Sequence, residues 1–407
     1  MGNTLPRLLL ISEATLDEKA TGLNRTLFNL LVGYPTDRFM LCAPEEALKT
    51  NPPAPPFGQH VTSLPRQVSL PWRNRIAAWL SPLVSLLNLQ RIDLLPIPNV
   101  SLIQAFDPEV ILICPNTPLA LIIGYRIAKF LQRPFLIYFM DDWVATSQQK
   151  WLGGSIQAYC QNLLRDAVAW MVISPQLEES LIKRYGVKPK RSLVVHNPVN
   201  LSNVERPNFT SHHRERFQIA YAGSIWTMHY DAVAVVAEAI HLLRQDRYDI
   251  ELVLYTQEGF WAAYQNTWEA WDVVYGGLVP YDKLHSQLQQ ADLLLVASSF
   301  LPKYANITRS SVQTKITDYM ATGKPILSCG PQDGACNMFI RQWNCGLVCE
   351  TNNISKVKDY LLKQIQNRGA NQVLAKNAYQ VLLEHFETNK VHQKLYEFIR
   401  INTAQVI

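Results

Sequence analysis

Charge is scarce in this chain, and long unbroken apolar runs are missing. Asp, Glu, Lys and Arg make up 17% of the 407 residues and hydrophobic types 48%, which excludes an intrinsically disordered chain. No Lys/Arg run, aromatic RNA-binding motif or zinc-finger spacing occurs, and nucleic acid is therefore not expected as a partner. The most apolar stretch, residues 110–124, is too short for a membrane span and is broken by Pro115 and Pro118. Cysteine is sparse as well: the seven are odd in number and scattered, with no signal-peptide pattern ahead of them. A reduced, cytoplasmic chain is the expectation. Cys345 and Cys349 in "CGLVC" have no neighbouring histidine and read as buried strand residues, so no metal is expected.

What is present is an alternation of short apolar runs with helical patterns. "LPRLLLIS", "DRFMLCAP", "PEVILICP" and "RPFLIYFMDDW" read as buried strands, with helical stretches such as "LNRTLFNLL" and "PLALIIGYRIAKFLQ" between them. "FQIAYAG" then opens a second series of the same kind. Strand–helix alternation of this sort builds parallel sheets, and 407 residues exceed one ordinary core. The fold class is α/β, with two Rossmann-like, doubly wound domains. The expected limits are 1–204 for the first domain, 205–215 for a polar linker and 216–388 for the second. A terminal helix over 389–407 would pack back on the first. Tandem domains of this kind carry ligand crevices at the carboxyl ends of their strands.

"SSVQTKITDYMATGKPIL", residues 310–327, is the most informative stretch. Ser310 and Gln313 have the spacing of a capping box. Ile316, Met320 and Gly323 form an apolar stripe, Gly323 and Pro325 end the helix, and "PILSCG" follows as a strand. Lys315 and Asp318, three apart, share a face away from the stripe. The unremarkable reading is a solvated ion pair on an ordinary helix. The net formal charge of +5 suits a phosphorylated ligand or an anionic membrane surface instead.

With "YAGSIW", "YGGLVPYDKLHSQLQQADLLLVASS" and "WNCGLVCE", this stretch resembles the GT-B glycosyltransferases, and most of all the nucleotide-sugar-dependent family four (group 1). "MDDW" and "HNPV" agree in layout in the first half. The resemblance implies two domains facing each other across a cleft. Its activity would be transfer of a sugar from a nucleotide-diphosphate sugar to an acceptor hydroxyl in polysaccharide or glycolipid synthesis, with retention and without a bound metal or other cofactor. It places Asp318 on the ribose and Lys315, Ser310 and Ser311 near the diphosphate. Gly223 and Ser224 would let backbone approach the phosphates, with His229 beside them, and residues 278–281, Val279 among them, would flank the base. From the first domain, Gly22 would close over the sugar, Asn197 would line the cleft floor, and Asp141 and Asp142 would meet a saccharide or lipid-linked saccharide acceptor. Catalysis would rest on Asp141 and Lys315.

The chain departs from the family pattern where Ser310 replaces an acid, Ser224 an Arg, His229 a Lys and Asp141 a His. Those departures keep a second reading open, a sugar-nucleotide-binding or scaffold protein of weakened or lost activity. An epimerase of the same architecture would need further acid/base groups. His196 reads as a core residue, and Trp261, Trp268 and Trp271 as core aromatics rather than a sugar platform. Residues 67–91 mix Trp72 and Trp79 with Arg73, Arg75 and Arg91. That mixture suits either a helix lying on the inner face of a membrane, as a peripheral contact, or one packed on the sheet.

Overall fold

The computed structural model describes residues 4–18, 20, 22–65, 97, 99–142, 153–202, 204–207, 209 and 216–404. Residues 67–91, the membrane-contact candidate, lie outside the described residues. The chain divides into two compact units, residues 1–195 with 391–407, and residues 196–390. Residues 196–204, expected with the first domain, group with the second.

The first unit is a parallel sheet of β1 (Leu8–Ser12), β2 (Phe39–Pro44), β3 (Val61–Leu64), β4 (Val110–Cys114), β5 (Phe135–Phe139), β6 (Ala169–Val172) and β7 (Ser192–Val194). Their order is β3-β2-β1-β4-β5-β6-β7. β1, β4 and β5 are buried along their whole lengths, which is why they read as unbroken apolar runs rather than alternating ones. Alternate side chains still serve different layers. Leu9 and Ile11 pack with Ile122 and Ile123 of the helix Pro118–Leu131. Leu8 and Leu10 pack with Leu27 of the helix Leu23–Leu31 and with Leu395 and Ile399 of the terminal helix Thr388–Ala404. That last helix is pinned to the first unit by His392 Nε2 against the Asn29 carbonyl (2.7 Å) and by Tyr396 edge-on to Tyr34.

The second unit repeats the plan with β8 (Phe217–Ala222), β9 (Ile250–Tyr255), β10 (Val274–Tyr275), β11 (Leu293–Ala297), β12 (Ile326–Cys329) and β13 (Leu347–Cys349), ordered β10-β9-β8-β11-β12-β13. All pairings are parallel. The strand order reverses between β8 and β11, the switch point at which doubly wound sheets take their ligands. β8 and β11 pair only through Ile219 and Ala220. Beyond them the strands part, and the Ala222 N–H donates to the Tyr319 hydroxyl (2.8 Å) instead of to a strand. Ile219 and Tyr221 face the helices Thr227–Gln245 and Ile354–Gln366. Ala220 and Ala222 face the other layer, where their small side chains admit the helix Lys315–Ala321 with Ile316 and Met320 wholly buried.

Trp268 is fully buried, and Trp261 and Trp271 lie in the same cluster, in keeping with the core reading. His196 sits edge-on to Phe339 and Phe386, and burial pushes its imidazole down to about 4, so it is neutral. Cys345 and Cys349 are buried thiols. No helix among the described residues is long and apolar enough to cross a membrane.

Candidate active site

The loop after β8 carries the first part of the site. Gly223 has φ +124, a conformation that L side chains rarely adopt, and it is exposed at the strand's end. Its N–H donates to the Tyr255 carbonyl (2.9 Å). The next carbonyl, that of Ser224, accepts from the Tyr221 hydroxyl (2.9 Å) and faces His229 Nδ1 (3.1 Å). A carbonyl can only accept, so Nδ1 carries the imidazole proton. Burial, reinforced by the Lys315 charge, drives His229 down to about 4, and the ring is neutral at physiological pH.

Lys315 reaches over the end of β8 from its own helix. Its stem is half-buried, but Nζ is shut off from solvent and has no hydrogen-bond partner. The ammonium lies 3.7 Å from the centroid of the Tyr221 ring, and a Cβ on Gly223 would come within 3.1 Å of it. The ring face returns about 2 kcal/mol or more to a desolvated cation. Burial outweighs that and lowers the Lys315 amine to about 7. A half-charged, unpaired amine beside a glycine turn is expensive to keep, and a phosphate is the group that would complete it.

Asp318 lies one turn further along and is half-buried; the Tyr281 hydroxyl donates to its Oδ1 at 3.3 Å. Tyr281 follows Leu278, Val279 and Pro280, of which Leu278 is 67% exposed and Val279 half-buried. Asn197 is buried, and its carbonyl accepts from the Thr317 hydroxyl (3.0 Å), so it belongs with the helix Lys315–Ala321 in the second unit.

Two expectations need correcting. Ser310 does not cap the helix that carries Lys315. It ends a separate short helix, Ala305–Ser310, where it is wholly buried and its hydroxyl donates to the Asn306 carbonyl (2.7 Å). Ser311 is the residue after that helix, and the helix of Lys315 starts after Thr314 with no side-chain cap. Gln313 was paired with Ser310 by spacing, but its amide donates to the Ala297 carbonyl (2.6 Å) and to Ser298 Oγ (3.2 Å). Lys315, moreover, does not share a solvated face with Asp318; it turns inward over β8.

In the first unit, Gly22 stands just before the helix Leu23–Leu31 at φ +61, with open space around it. Asp141 is half-buried on the bend after β5. Asp142 is only 2% exposed, and its Oδ2 accepts from Arg184 Nε at 3.0 Å. It holds the helix Pro175–Tyr185 in place, while Asp141 is the less buried acid of the pair, with Oδ1 shut off from solvent. Among the described residues, no group of three His, Cys, Asp or Glu side chains is placed to hold a metal ion. The sequence marks neither Tyr221 nor Tyr319, and it marks Tyr281 only for its backbone and Gln313 only as half of a cap. Their roles come from strands and helices far apart in the chain.

Two family profiles match the sequence, one described as "Glycosyl transferases group 1" over residues 216–367 and one as "Glycosyltransferase Family 4" over residues 39–203. No curated protein gives a significant match. Solved structures with a similar fold include Anabaena HepE in complex with UDP, at 14% identity, TM-score 0.67, and coverage of 97% of this chain and 99% of that one. Sucrose-phosphate synthase from Thermosynechococcus elongatus is similar at 13% identity and TM-score 0.69, covering 98% of this chain and 100% of that one. A glycosyltransferase from Rickettsia africae is similar at 13% identity and TM-score 0.66, covering 98% and 99%. Two parallel α/β sheets in separate halves of the chain are the GT-B arrangement. With both halves matched, the chain is a glycosyltransferase of group 1 / family 4.

Proposed function

We propose that the second unit holds the diphosphate and ribose of a nucleotide-sugar donor at the carboxyl edge of β8 and β11. As a group 1 glycosyltransferase the chain transfers a sugar from such a donor. The observation that carries the assignment is the buried, unpartnered Nζ of Lys315 against the Gly223 turn. A diphosphate there would find an ammonium and exposed loop backbone. Asp318, an acceptor when ionised, would take hydrogen bonds from the ribose diol, with Tyr281 fixing its orientation. HepE has been crystallised with UDP and with UDP-glucose, which recommends UDP as the first probe.

In the reaction, the bond between the anomeric carbon and the diphosphate oxygen breaks and one to an acceptor hydroxyl forms. Negative charge gathers on the departing diphosphate, and a cation held against it stabilises that charge. Lys315 takes that role. Asp141, on the bend after β5, is the carboxylate assigned to the acceptor, a saccharide or lipid-linked saccharide. His229, neutral in the ligand-free chain, clamps a diphosphate more weakly than the lysine of related enzymes.

A thermal-shift screen across UDP-, GDP- and ADP-sugars tests the reading, because a ligand of the folded state raises the midpoint by mass action. One nucleotide should raise it in the wild type and do so far less in Lys315→Ala and Asp318→Ala. Equal shifts in all three proteins would refute the assignment. Sugar release or transfer from the nucleotide that binds then separates an active transferase from a sugar-nucleotide-binding protein.

A further inference from the structure

Gln313, two residues before Lys315, is placed so as to leave one buried hydrogen-bond acceptor unused. Its amide nitrogen donates to the Ala297 carbonyl at 2.6 Å and to Ser298 Oγ at 3.2 Å. The carbonyl can only accept, so the amide cannot be flipped, and Oε1 must face the other way. There it is buried without a partner, as Nζ of Lys315 is. Both residues lie near the Cys336 thiol. The Gln313 N–H donates to Cys336 Sγ (3.4 Å), and the charge of Lys315 acts on the same thiol. Ala297 ends β11, which adjoins β8 across the switch point. Buried polar atoms in native chains are paired, so this acceptor awaits a donor.

We infer that Gln313 is a specificity-determining residue of the donor site, whose Oε1 accepts a hydrogen bond from a hydroxyl of the transferred sugar. This rests on the donor reading above. The chemistry narrows the partner. Phosphate oxygens only accept and cannot satisfy Oε1, while Asp318 takes the ribose. What remains of a nucleotide sugar close to its diphosphate is the hydroxyl set of the sugar ring. Ser310 cannot serve instead, since its own hydroxyl is turned back into its helix. Both unpartnered atoms are closed to bulk water, so pairing requires a side-chain rearrangement. The flexible four-carbon stem of Lys315 is the part that can supply it.

The test is calorimetric titration of wild type and Gln313→Met with UDP, GDP and ADP, and with UDP-glucose, GDP-mannose and ADP-glucose. The sugar series then continues with monodeoxy analogues of whichever nucleotide sugar binds. In the wild type the nucleotide sugar should outbind its parent diphosphate, and Gln313→Met should erase about tenfold of that margin while leaving the diphosphate's affinity in place. One monodeoxy analogue should bind the wild type about tenfold more weakly than the parent and bind the variant equally well. Two results overturn the inference alone: equal weakening of diphosphate and nucleotide sugar, which marks Gln313 as a loop anchor, or penalties from every deoxy position unchanged by the variant, which leaves Oε1 to an ordered water. A wild type that binds none of the three diphosphates overturns the donor reading itself and this inference with it.

Discussion

Replacing Lys315 with methionine separates what the lysine does for the fold from what it does for the ligand. The amine stands near 7 in the folded chain against an ordinary 10.5. At about 1.4 kcal/mol per pH unit, its burial costs the charged form roughly 5 kcal/mol. The sign follows from proton counting. Between pH 7 and 10.5 the unfolded chain holds the proton that the folded chain has released, so wild-type stability rises with pH across that window. Lys315→Met has no such dependence, and its thioether can lie on the Tyr221 ring. The variant's advantage from this one group should be about 5 kcal/mol at pH 6 and about 2 kcal/mol at pH 9. Urea unfolding of both proteins without ligand, at the two pH values, reads the difference of about 3 kcal/mol directly. The same variant should lose nucleotide binding. A variant less stable than wild type at pH 6, or one with the same margin at both pH values, refutes the buried-amine argument.

Three further outcomes are expected. Affinity for a nucleotide sugar should fall as pH rises above about 7, by up to tenfold per pH unit, because binding must return a proton to Lys315; titrations at pH 6.5, 7.5 and 8.5 measure it. Gly223→Ala should fold but bind donor poorly, since the new methyl would stand 3.1 Å from Lys315 Nζ at a φ of +124; unchanged affinity would remove the glycine turn from the site. Arg184→Met should destabilise the first unit by on the order of 3 kcal/mol, because it takes the guanidinium away from the buried Asp142 carboxylate; a loss below about 0.5 kcal/mol in urea unfolding would contradict that role.

The sequence by itself determined the α/β class, the doubling of the sheet and the stretch that carries the site. Strands buried on both faces must be apolar throughout, as β1, β4, β5 and β11 are, and the helix of Ile316 and Met320 must present a stripe to the sheet. These are local patterns, legible one segment at a time. One strand passed unmarked: β3 alternates half-buried with buried positions and carries Thr62 and Ser63, so it shows no apolar run.

Tertiary structure alone decided what Lys315, Ser310, Gln313 and Asp142 do. Spacing made Ser310 and Gln313 a cap, but a helix ending at Ser310 and the open carbonyl of Ala297 claimed them first. Spacing made Lys315 and Asp318 neighbours on one face, but the parting of β8 and β11 beyond Ala220 drew the lysine over Tyr221 and left the acid outside. Two adjacent aspartates look alike in the chain, and only Arg184, 42 positions away, turned Asp142 into a structural ion. Periodicity records which face of a segment is buried. The partner that a polar group meets there depends on residues distant in sequence, and no local pattern encodes it.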